Sequence, residues 1–131
     1  MNQHPMDMIE VKTEALIGQA LDWAASVADA PLLDLSPEWS KEVIGRIVCG
    51  YRPSEYVTYG APLIVRGYVS AIYEPVDEPG APGVWRAFCR HDGPEFVHAC
   101  WLVACLRARV HSKMGDVVWV PAMFAKRVDQ P

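Results

Sequence analysis

Cys89, His91, His98 and Cys100 form a C-x-H…H-x-C arrangement of residue types that bind zinc. Spacing counts against the ion. The stretch opening at Asp92-Gly93-Pro94-Glu95 and running through Lys113 reads as one long helix. Residues two apart on a helix point about 200° apart around its axis, so His98 and Cys100 cannot both face one tetrahedral ion. Cys100 also shares a stripe with Trp101, Ala104 and Cys105, which reads as core. Cys89 and His91 would project to the same side of a strand and offer a Cys–His nucleophile pair. Nothing in the sequence marks an oxyanion hole or an orienting acid beside them.

Other chemistries leave fainter signatures. G-x-G-x-x-G, G-x-x-x-x-G-K and a nucleophile elbow are absent. Glu74, Asp77 and Glu78 flank a proline-rich loop and read as solvated acids. Arg107, Arg109, His111 and Lys113 gather positive charge on the last turns of the final helix, where it complements the helix dipole. They fall into two stripes, Arg107 with His111 and Arg109 with Lys113, so they cannot all grip one anion. The segment Tyr51 to Pro62 carries Tyr51, Tyr56 and Tyr59 among turn residues. Aromatic rings on such a loop suit recognition, because they offer large contact area with little rotamer entropy to lose. The competing reading is that the rings pack the loop onto a sheet.

The elements that position these residues follow from periodicity. Ile9 to Val11 reads as an edge strand, and Thr13 as the N-cap of a helix with Glu14 in its first turn. Leu16, Ile17, Ala20, Leu21, Ala24, Val27 and Ala28 share one arc of that helix, with Asp22 opposite. Ser36-Pro37-Glu38 marks a second helix start, although Gly45 and the β-branched residues leave a strand over Val43 to Cys49 open. Leu63 to Tyr73 reads as the long central strand, Pro75 to Gly83 as a loop and Val84 to Cys89 as a strand pairing with it. Gly115 sits at a helix C-cap, and Val117 to Val120 reads as a short strand.

Bulk properties bound the class. A chain of 131 residues that is 51% hydrophobic and 21% charged makes one globular domain without needing disulfides or metal. The four cysteines show no C-x-x-C spacing and the N-terminus no secretion pattern, which favours reduced thiols in a cytosol. Net charge is -4, so general attraction to phosphate backbones is not expected. The longest nearly apolar run, Phe96 to Leu106, is too short to span a bilayer.

Three blocks carry a resemblance. They are Val11-Lys12-Thr13 through Leu21-Asp22-Trp23-Ala24; Tyr51, Pro53 and Ser54 with Gly60, Pro62, Leu63 and Ile64; and Ser112-Lys113-Met114-Gly115-Asp116 with Val118, Val120 and Pro121. In this order the chain resembles the NinX-like family of small phage-encoded proteins, whose function is uncharacterised. Tyr56-Val57 stands where that family usually has Asp-Trp, and Ala61 replaces a glycine. The resemblance implies expression inside a bacterial host and singles out Asp22, Ser54, Lys113 and Asp116 as polar residues of the matching blocks. It supplies no catalytic residues.

Together these readings predict an α+β fold: a small antiparallel sheet with two or three helices on one face. A leader over 1–8, one domain over 9–125 and a tail over 126–131 are expected. The leading functional expectation is a phage accessory protein that binds a host or phage protein through Tyr51, Tyr56 and Tyr59. The alternative is a small enzyme, or a nucleotide- or anion-binding protein, with Asp22, Ser54, Lys113 and Asp116 converging in a pocket. No cofactor and no membrane association are expected, and a homo-oligomer stays open.

Overall fold

A computed structural model describes residues 7–30 and 37–125. Most of the expected leader, the whole tail and the capping Ser36 lie outside the described residues. Strand β1 (Met8–Lys12) leads through a 3-10 turn (Thr13–Ala15) into α1 (Gly18–Asp29). Then come α2 (Pro37–Val48), α3 (Val57–Arg66), β2 (Ser70–Glu74), β3 (Val84–Phe88), β4 (Phe96–His98), α4 (Trp101–Met114) and β5 (Val117–Pro121). The fold is α+β.

The strands form two antiparallel sheets rather than one. β1 pairs with β5, Lys12 opposite Val117 and Met8 opposite Pro121. β2, β3 and β4 form a separate meander, with Tyr73 opposite Trp85 and Trp85 opposite His98. Helix α4 joins the layers. Every residue from Leu102 to Ala108 is buried, so α4 is covered all round instead of along one stripe. Buried Ala20, Leu21, Trp23, Ala24, Val27 and Ala28 of α1 belong to the same core. The Trp23 indole N–H donates to the Trp119 carbonyl at 3.1 Å, tying α1 to the β1–β5 ribbon.

Several expectations require correction. Thr13 does not cap α1, which starts at Gly18 with φ 61. Its hydroxyl instead donates to the Gly115 carbonyl at 2.6 Å and closes the ribbon. The 43–49 ambiguity resolves as helix α2. Leu63 to Tyr73 is no single strand: its first residues belong to α3 and only Ser70 onward is extended. Packing explains the difference, because buried Leu63 and Ile64 dock on the core and override β-branched propensity and even Pro62. The 92–113 stretch is also divided. Phe96–His98 pairs with β3, and the helix begins only at Trp101.

Arg107 does not serve the helix dipole at the surface. It is buried, and its Nε donates to the Leu16 carbonyl at 2.7 Å. Arg109 lies against Gly67, so closely that a Cβ on that glycine would fall within 2.7 Å of its Nε.

Candidate functional site

Residues 51–56 cross from the end of α2 to the start of α3 and are fixed at four points. The Tyr51 N–H donates to the Arg46 carbonyl at 2.9 Å. The Arg52 guanidinium donates to the Ile47 carbonyl, near the C-terminus of α2, which also accepts the Gly50 N–H at 3.1 Å, and pairs with Glu55 at 3.3 Å. The Ser54 N–H donates to Asp22 Oδ1 at 2.8 Å. The Pro53 carbonyl packs against buried Gly60. Farther along α3, Arg66 grips Asp29 of α1 through two hydrogen bonds, at 2.8 and 2.9 Å.

On this frame the three tyrosines form one aromatic group. Tyr51 and Tyr59 have ring centroids 5.0 Å apart, and Tyr56 meets Tyr59 edge-on at 6.1 Å. Tyr51 is half-buried, and that burial raises its hydroxyl pKa above the ordinary value. Tyr56 is 55% exposed, Tyr59 42% and Val57 58%. The segment expected to be a loop is therefore a fixed turn followed by helix, and it holds an apolar surface facing outward.

Asp22 departs most from expectation. On the helical wheel it faces away from the apolar arc, yet it is fully buried, because the 51–56 segment covers that side of α1. Burial pushes its carboxyl up to about 6, with the Ser54 backbone N–H, the Ser54 hydroxyl and the Arg52 charge pulling the other way. No periodicity reveals this, since Ser54 of the covering segment is 32 residues away.

Asp22 and Ser54 are thus brought together, but Lys113 and Asp116 do not join them. Lys113 is exposed. Asp116 pairs with His111 at 2.7 Å and lines a cleft of about 930 Å³ together with Lys12, Glu14, Glu95, Phe96 and Arg107. Neither Asp22, Ser54 nor Lys113 lines that cleft. Its polar groups are largely engaged with one another or with neighbours: Glu95 with Arg86, Asp116 with His111, Arg107 with Leu16. The expected four-residue pocket does not form.

The cysteine and histidine candidates are also separated. His98 lies in β4 and its Nδ1 accepts from the Cys100 N–H at 2.9 Å, so the helical geometry expected for this pair does not hold. Cys89 and His91 sit in the turn after β3, not in a strand, and His91 leans on Phe88. Burial raises the pKa of the Cys89 thiol and pushes that of Cys105 up to about 12, which opposes thiolate chemistry at either. Among the described residues, no group of three or more His, Cys, Asp or Glu is placed to hold a metal ion. No helix among them is long and apolar enough to cross a membrane. No family model matches the chain, and no curated protein matches it.

Proposed function

We propose that this is a phage-encoded accessory protein that acts by binding another protein, of host or phage, through the surface formed by Tyr56, Val57 and Tyr59. The observation that carries the reading is the outward display of these side chains on a frame tied down at both ends. Pre-ordered aromatics bind with little entropy left to lose, and exposed tyrosines are frequent hot spots. Arg52–Glu55 and Arg66–Asp29 supply polar groups at either end of the segment, in keeping with an interface whose apolar centre has a polar rim. The phage assignment draws on the three blocks of resemblance.

Tyr56→Ala should leave folding stability within about 0.5 kcal/mol of the parent, since the side chain is mostly in water. It should weaken partner capture by about 2 kcal/mol, roughly thirtyfold in affinity. A thermal-melt series on Tyr56→Ala and Tyr59→Ala, beside pull-downs from infected host cells, checks both. Tyr59 contacts both other rings, so its truncation should also cost about 1 kcal/mol of stability. Undiminished capture by both variants would remove the function from this surface.

A further inference from the structure

The recognition segment is tied to α1 at Ser54, whose N–H donates to the Asp22 carboxyl at 2.8 Å and whose hydroxyl donates to the Gly18 carbonyl at 3.4 Å. The shorter of these bonds rests on a carboxyl poorly equipped to carry a charge. Asp22 is fully buried, Oδ1 accepts the Ser54 N–H, and Oδ2 has no hydrogen-bond partner among the described residues. The nearby cation, Arg52, directs its donors to the Ile47 carbonyl and Glu55. The charged groups that bear on Asp22 are Arg52 and Glu55, with the titratable Tyr51 hydroxyl also within reach. Both lie in the segment itself. Ionised, such a group is a buried charge that Arg52 and the Ser54 donors offset only in part; protonated, it is a polar group that keeps the Ser54 hydrogen bond at little cost.

We propose that Asp22 is a proton-operated latch on the tyrosine segment: the neutral acid holds Ser54 down on α1, and ionisation favours lifting of the segment so that water reaches the carboxylate. The sign follows from linkage. The closed state holds the proton to about pH 6 and the hydrated carboxyl only to 3.8. Closure is therefore most secure below the lower value, weakens as pH rises through this window, and changes no further above it. Between pH 5 and pH 7.5 the opening equilibrium should grow about tenfold. For the recognition surface, this means that display of Tyr56 and Tyr59 is best ordered in mild acid. That consequence rests on the binding reading above; the latch does not.

The test uses the full chain without a partner. The Asp22 carboxyl carbon is titrated by NMR while amide exchange at Ser54 is followed from about pH 5 to 7.5, in the parent and in Asp22→Asn. The expected result is a carboxyl midpoint near 6 and a Ser54 protection factor that falls about tenfold in the parent but stays level in the variant. A midpoint near 4, or an equal fall in both proteins, overturns the latch. Should Asp22→Asn fail to fold, the parent decides alone: the fall in protection must level off as pH passes the carboxyl midpoint. Level protection in the parent would refute the proposal even if Asp22 titrates high. A protein that shows this protection profile yet captures no partner at any pH keeps the latch and loses the recognition reading.

Discussion

Leu21→Ala is expected to lower unfolding free energy by about 2–5 kcal/mol, the range for emptying a packed leucine site. Leu21 has no exposed surface, and α1 packs between α4 and the β1–β5 ribbon, so little can collapse into the space left behind. Urea denaturation of parent and variant measures the effect, with an unchanged slope showing that the unfolded states are comparable. A loss below about 1 kcal/mol would mean that α1 is not docked as described.

Gly60→Ala should have the second largest effect, and its sign opposes helix propensity. In an open helix position alanine is favoured over glycine by about 1 kcal/mol. At Gly60 a new Cβ would run into the Pro53 carbonyl and come within 2.7 Å of Leu102 Cδ2. Leu102 can turn aside, but Pro53 is backbone in a segment already anchored at Ser54. Overpacking of this kind costs about 1–3 kcal/mol, and a clash with fixed backbone puts this site at the upper end. Gly45 in α2 supplies the control, since among the described residues nothing lies within 4 Å of a Cβ there. Gly45→Ala should stabilise by up to about 1 kcal/mol while Gly60→Ala destabilises. Two melts with shifts in the same direction would refute the packing of α3 onto the 51–56 segment.

The contrast between these glycines shows what the sequence could and could not convey. β1, β3 and β5 were legible from their short β-branched runs and the turn residues beside them, and α1 from its apolar arc, although its start lies at Gly18 rather than after Thr13. α3 was not: Val57, Thr58, Val65 and Pro62 are poor helix formers, and only docking of Leu63 and Ile64 on the core makes the helix worthwhile. Phe96–His98 was absorbed into α4 because Asp92-Gly93-Pro94-Glu95 has the composition of a helix start, whereas the pairing that claims it lies on β3.

The candidate site was half legible. Tyr51, Tyr56 and Tyr59 stand out in the sequence as one aromatic group, but whether their rings face water or pack inward is decided by how the 51–56 turn and α3 dock. The burial of Asp22 depends on a covering segment from elsewhere in the chain, which a helical wheel cannot contain.

The pairing of β1 with β5 bears on the order in which the molecule can be made. Lys12 meets Val117 and Met8 meets Pro121, so the first strand waits for almost the whole described chain before its partner exists. During synthesis, α1 leaves the ribosome with neither α4 nor the ribbon to cover Leu21 and Trp23. Those side chains are held in water or by a chaperone until residue 121 has emerged. The meander of β2, β3 and β4, by contrast, can close as soon as His98 is free, because its pairings are local. Folding on the ribosome is therefore expected to start in the middle of the chain and to finish by drawing in its beginning.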